Sequence, residues 1–154
     1  MIKRFFLIWL AGLLWAVGST AQEPIRKKQF NVIEGPALQG YDPVGYSNQG
    51  KAIKGQREFA LNHQGITYYF ASAENRLLFK NDPGKYEPEY GGWCAFAMGD
   101  TGEKVSIDPA TFKVVNGKLY LFYNKFFTNT LPSWNKREPA LKANADNNWA
   151  KIFR

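Results

Sequence analysis

Arg57-Glu-Phe-Ala-Leu-Asn-His63-Gln64-Gly65-Ile-Thr-Tyr-Tyr-Phe-Ala71-Ser72-Ala-Glu-Asn-Arg-Leu-Leu-Phe79 reads as strand, turn, strand, cap and helix in one run. Ile66 to Ala71 is dense in β-branched and aromatic residues, which suit a pleated surface, and His63-Gln64-Gly65 supplies the turn back to Arg57–Asn62. Ser72 is a good N-cap, with Glu74 and Asn75 in the first turn behind it. Leu77, Leu78 and Phe79 give a short helix its apolar residues before Asp82-Pro83-Gly84 stops it. A hairpin followed at once by a helix predicts an α+β fold with a small, mainly antiparallel sheet.

Working outward, Asn116-Gly117 between Thr111–Val115 and Lys118–Tyr123 is the strongest short-range hairpin signal in the chain. Beyond Asn124 the pattern turns helical, interrupted at Pro132 and Pro139. Leu141, Ala145, Trp149 and Phe153 fall near helical spacing, so C-terminal helices are expected to pack on the sheet. On the other side, Pro43 drives Asp42 out of the helical region, so Tyr41–Tyr46 is expected to be extended with a turn in it. Ser47–Gly50 reads as a further turn and Lys51–Lys54 as a short strand. Gly91-Gly92 predicts a sharp redirection before Trp93. We find no internal repeat and no linker long enough to divide the chain. The expected organisation is a signal peptide at 1–21, a flexible or loosely docked leader at 22–34, and one domain at 35–154 with a C-terminal helical extension.

The signal peptide rests on Lys3 and Arg4, the apolar run Phe5–Val17 and the small residues Ser19-Thr20-Ala21. The apolar run is too short for a comfortable span, so no stable membrane span is expected after cleavage, and the location is periplasmic or secreted. Cleavage removes two of the 20 Lys and Arg and none of the 13 Asp and Glu, leaving 18 against 13, or +5. The basic residues are scattered, which supports weak attraction to an anionic envelope surface and no nucleic-acid partner. One cysteine cannot form a disulfide within the chain, so stability must come from an apolar core. The composition, 45% hydrophobic and 16% aromatic, is enough for one domain, and the oligomeric state is left open.

That cysteine, Cys94, sits in the short apolar segment Trp93–Met98, where it is most simply a small buried hydrophobe. A chemical role has one geometric argument. If the segment is helical, Cys94 and Met98, four apart, share a face, and soft thiolate and thioether donors select Cu(I). His63, the only histidine, is the third candidate ligand, and the ion, if one binds, is expected to be copper or zinc. For small ligands, the tyrosines around Asp42 and the Gly-Gly pair make Tyr41, Asp42, Tyr46 and Trp93 the candidate lining of a pocket.

Asp42-Pro43-Val44, His63-Gln64-Gly65-Ile66-Thr67-Tyr68-Tyr69-Phe70, Ser72, Phe79, Asp82-Pro83 and Lys85-Tyr86 together resemble the YHS domain, a small module of metal-handling proteins. The remainder, with Tyr90-Gly91-Gly92-Trp93-Cys94-Ala95, Asn116-Gly117-Lys118-Leu119-Tyr120-Leu121 and Ala145-Asp146-Asn147-Asn148-Trp149, is similar to longer exported YHS-domain proteins of bacteria. The resemblance implies a soft-metal site built on cysteines, but Gly45, Ala71 and Glu74 or Asn75 stand at those positions here. The expected function is therefore a non-catalytic, exported YHS-like domain binding a small ligand or a transition metal. The competing readings are a structural or protein-interaction module with no metal, and a thiol-dependent enzyme using Cys94.

Overall fold

The computed structural model describes residues 18–153. The apolar run of the expected signal peptide lies outside these residues, and its expected cleavage point after Ala21 falls within the first helix, α1 (Gly18–Gln29). The segment expected to be a leader is thus helical as far as Gln29. It is also docked, because Phe30 is buried and the Trp93 indole N–H donates to the Gln29 carbonyl at 2.6 Å.

A tight turn at Ala37–Gly40 leads to α2 (Pro43–Gln49), where the sequence suggested an extended segment. Asp42 explains the difference. It stays in the extended region that Pro43 demands, yet its carboxylate accepts from the Val44 N–H at 2.8 Å and caps a helix that has Pro43 at its first position. Lys51–Lys54 contributes only an isolated bridge between Tyr41 and Lys54 instead of a strand. The first hairpin is β1 (Gln56–His63) and β2 (Ile66–Phe70), with His63 ending the strand and only Gln64-Gly65 in the turn. Ser72 caps α3 (Ala73–Asn81) by accepting from the Asn75 N–H, and Asp82 caps the single turn α4 (Pro83–Tyr86).

A second tight turn, Glu89–Gly92, precedes α5 (Ala95–Asp100), and the second hairpin is β3 (Asp108–Val115) and β4 (Lys118–Phe122). The chain does not then turn helical at once. A small third hairpin, β5 (Asn124–Lys125) and β6 (Thr128–Asn129), intervenes before α6 (Leu131–Ile152), which kinks at Arg137 ahead of Pro139. The fold is α+β, as expected, but the antiparallel pairing is three separate two-stranded ladders and not one sheet.

The ladders and helices obey a repeat that sequence reading missed. The strand bounds 56, 63, 66 and 70 recur at 108, 115, 118 and 122, each 52 residues later. The backbone bonds recur at the same offset: Tyr41 N–H to Leu38 O and Trp93 N–H to Tyr90 O, then Asp42 N–H to Ile53 O and Cys94 N–H to Val105 O. So do the left-handed pairs Leu38-Gln39 and Tyr90-Gly91 and the turns Gln64-Gly65 and Asn116-Gly117. The domain is therefore two copies of one unit: tight turn, capped short helix, hairpin, helix.

Three apolar clusters hold the units together. One gathers Phe30, Val44, Ile66, Tyr68, Phe70, Phe79 and Tyr86. A second joins Tyr46, Cys94, Ile107, Leu119 and Leu121, and a third sets Met98, Tyr120, Phe122, Trp134 and Leu141 under α6. Contact between α5 and α6 is close because Gly99 has no side chain. A Cβ there would lie 2.4 Å from the Leu141 carbonyl oxygen. No described helix is long and apolar enough to cross a membrane.

Candidate functional site

The equivalence of the two units identifies Asp42 and Cys94 as counterparts. Each stands at the N-cap position of its unit's short helix, where only Asp42 caps with its side chain, and each accepts from the N–H that follows the second strand. Ala71 donates to Asp42 Oδ2 at 2.8 Å, and Tyr123 donates to Cys94 Sγ at 3.3 Å. Asp42 is fully buried and takes two more bonds, from Val44 N–H on Oδ1 and from Asn75 Nδ2 on Oδ2 at 2.7 Å. Three donors compensate its desolvation, and no cation is needed. Two of the positions where the resemblance would place cysteines, Ala71 and Asn75, thus serve as donors to this carboxylate. At the third, Gly45, a Cβ would meet the Lys51 carbonyl oxygen at 3.2 Å and Ile53 at 3.3 Å.

Cys94 is fully buried, and its sulfur lies 3.5 Å from Thr130 Oγ1 in addition to the Tyr123 bond. Neither neighbour is a base that could take the thiol proton. The helical reading of Trp93–Met98 holds from Ala95 onward, and Met98 N–H bonds to the Cys94 carbonyl at 3.0 Å. The two sulfurs nonetheless serve different clusters, Cys94 packing with Tyr46 and Leu121, Met98 with Trp134 and Leu141. His63 stands at the end of β1 with its ring edge-on to Phe79 at 5.9 Å, in the remaining cluster. The three candidate metal ligands therefore pack against three different clusters, and among the described residues no three His, Cys, Asp or Glu side chains group around a common point.

Of the four residues expected to line a pocket, Tyr41, Asp42 and Tyr46 lie near one another, while Trp93 packs in a different cluster. Tyr46 is buried and its hydroxyl donates to the Pro109 carbonyl at 2.8 Å; burial, with Tyr41 and Asp108 nearby, raises its pKa far above the ordinary phenol. Asp42 is saturated, and Trp93 is buried with its N–H spent on Gln29. Tyr41 keeps part of its ring at the surface, where the Lys54 ammonium sits 4.6 Å from the ring centre. These side chains build the fold, and none of them lines the cleft beside Trp149 or the groove beside Tyr69.

A cleft lies elsewhere, between the end of α1, the turn before α5 and the last turns of α6. Its volume is about 330 Å³, and its walls include Phe30, Trp149 and Phe153, with Arg26, Glu87, Tyr90 and the Lys118-paired Glu89 as its polar members. Trp149 meets Phe30 edge-on at 6.0 Å and Phe153 at 5.1 Å. Gly91 makes room for that indole, since a Cβ there would lie 2.7 Å from the Trp149 ring, and its backbone is left-handed at φ +60°.

Glu87 Oε1 accepts from both Arg26 Nη2 and the Tyr68 hydroxyl, each at 2.6 Å, while the guanidinium carbon lies 4.3 Å from the Phe30 ring centre. Burial first, and Glu87 second, push the Tyr68 hydroxyl well up in pKa, so it stays a proton donor. Tyr90 donates to Asp146 Oδ1 at 2.9 Å and is raised likewise, by burial and then by that bond. The second oxygen of Glu87 and Nη1 of Arg26 have no hydrogen-bond partner among the described residues. Sequence reading passed over Arg26 and Glu87 because they are 61 residues apart and sit in stretches without periodicity. A second groove of about 400 Å³, lined by Lys27, Pro36, Thr67 and Tyr69, carries a single cation. No protein-family model, curated protein or solved structure matches the chain.

Proposed function

We propose that this chain is a non-catalytic, YHS-like module of the cell envelope, periplasmic or secreted, that binds a small polar molecule in the cleft between α1 and α6. The observation that carries the reading is the Arg26–Glu87 pair, in which Nε and Nη1 of Arg26 and one oxygen of Glu87 have no hydrogen-bond partner among the described residues, beside the aromatic walls of Phe30, Trp149 and Phe153. A cleft of about 330 Å³ with a few placed polar groups on an apolar wall has the size and chemistry of a small-ligand site. An adjacent cation and carboxylate select a zwitterion, whose two charges complement theirs, and the rings select one with an apolar body. Copper or zinc is the weaker reading, because the Cys94 sulfur is engaged by Tyr123 and Thr130 and the candidate ligands pack into different clusters.

The test is a thermal-shift and calorimetric titration with aromatic and aliphatic amino acids and betaines, alongside elemental analysis and Cu(I) titration of the same protein. Saturable binding of a zwitterion, lost in Arg26→Met and weakened in Trp149→Ala, supports the reading. Stoichiometric metal that disappears in Cys94→Ser overturns it.

A further inference from the structure

The third hairpin is an addition to the repeat. In the first unit the chain passes from the second strand at Phe70 to α3 at Ala73. In the second it leaves β4 at Phe122 and reaches α6 only at Leu131, spending the difference on β5 and β6. At the tip of this addition stand Phe126 and Phe127, 86% and 113% exposed. Both are in the left-handed region, at φ +50° and +63°. The other two hairpins fill the same two turn positions with Gln64-Gly65 and Asn116-Gly117, the residue types such a turn prefers. A bulky ring in that conformation is strained, and here it recovers nothing from packing.

Below the tip the stem is polar. Asn124, Lys125, Thr128 and Asn129 are all exposed. Asn124 Nδ2 donates to Thr111 Oγ1, which in turn donates to Asp108 Oδ2, so the carboxylate at the foot of the stem is already occupied. A docking site for a folded protein partner would sit within a broader apolar patch, and none of the stem residues extends one. Two rings projecting from a polar, lysine-bearing stem match instead the steep polarity gradient of a lipid interface. Without the expected signal peptide the net charge, 18 − 13 = +5, complements an anionic one.

We propose that Phe126 and Phe127 form a wedge that inserts into the interface of an anionic lipid bilayer, holding the domain at a membrane surface without spanning it. The test is flotation of the exported protein, its mature N-terminus defined by mass spectrometry, with phosphatidylglycerol–phosphatidylcholine vesicles and with phosphatidylcholine vesicles alone. Phe126→Asn with Phe127→Gly recreates the turn of the second hairpin and is expected to fold with an unchanged or higher melting temperature. It should lower the partition coefficient on anionic vesicles at least about tenfold, as should Phe127→Ser alone. Wild-type binding should weaken on neutral vesicles and at high salt. Failure of the wild type to float with anionic vesicles, equal binding by the variants, or a dimer that forms in solution only with both rings present would overturn the proposal.

Discussion

Replacing Asp42 and Cys94 in turn by alanine tests the equivalence of the two units and the different chemistry at their hubs. The residues occupy matching positions, are both fully buried and are of similar size, so the cavities left are comparable. What differs is the bonding. Asp42→Ala strands the buried donors Val44 N–H and Asn75 Nδ2 and the partly buried Ala71 N–H, each bonded at 2.7 or 2.8 Å to a carboxylate. At about 1.5–3 kcal/mol per bond to a charged group, and less than additive because the donors share one acceptor, the loss is roughly 3–5 kcal/mol. Cys94→Ala removes a sulfur that accepts one weak bond at 3.3 Å. Thr130 keeps its hydroxyl bond to the Tyr123 carbonyl, so that loss is about 1–2 kcal/mol, mostly cavity. Against a total of about 5–15 kcal/mol, both variants fold. Urea unfolding followed by tryptophan fluorescence and circular dichroism measures the difference. Melting temperatures should fall by about 10–20 °C for Asp42→Ala and about 3–8 °C for Cys94→Ala. Equal losses, or a larger loss at Cys94, would refute the account of Asp42 as a carboxylate stabilised by its donors.

Stability should decline as pH rises above about 10. Tyr46, Tyr68 and Tyr90 have raised pKa values in the fold, chiefly through burial, so the unfolded chain releases their protons first and ionisation favours unfolding. Replacing the three by Phe should flatten the curve of melting temperature against pH on the alkaline side. Gly99→Ala should cost about 1–3 kcal/mol by forcing α5 away from the Leu141 carbonyl, read as a lower urea midpoint with the slope unchanged. Cys94 should react with a thiol reagent only as fast as the protein opens, and fully in concentrated guanidinium; rapid labelling of the native protein would contradict its complete burial.

The hairpins and α3 were legible because they rest on local signals: polar-Gly turns, β-branched strands and the Ser72 cap. Asp42-Pro43 was ambiguous, since proline excludes a helix before it while aspartate caps one after it. The bond from Val44 N–H shows that capping wins, and the long-range bonds from Ala71 and Asn75 hold the carboxylate in place for it. The repeat hid because its two copies keep conformation and not chemistry. Gly40 and Gly92, Gly65 and Gly117, Tyr68 and Tyr120, and Phe70 and Phe122 match, but Asp42 answers to Cys94. The third hairpin went unread because Phe126-Phe127 is no turn signal, and the cleft because Arg26, Glu87 and Trp149 meet only through long-range folding. The candidate metal and pocket residues were chosen by residue type, which does not reveal that the polar atoms of Asp42, Tyr46, Trp93 and Cys94 are consumed within the fold.

The contact between Phe30 and Trp149 has a consequence for how the molecule opens. It closes a loop of nearly the whole described chain, whereas each hairpin closes over two residues. Loop-closure entropy opposes the long contact most, and it is carried by α1 and the last turns of α6, whose outer faces are solvated. Local opening therefore begins there, while both hairpin units stay paired, and amide exchange at these two ends outruns exchange in β2 and β4. The cleft lies between the two elements that part first, so a molecule could enter it through the domain's cheapest fluctuation.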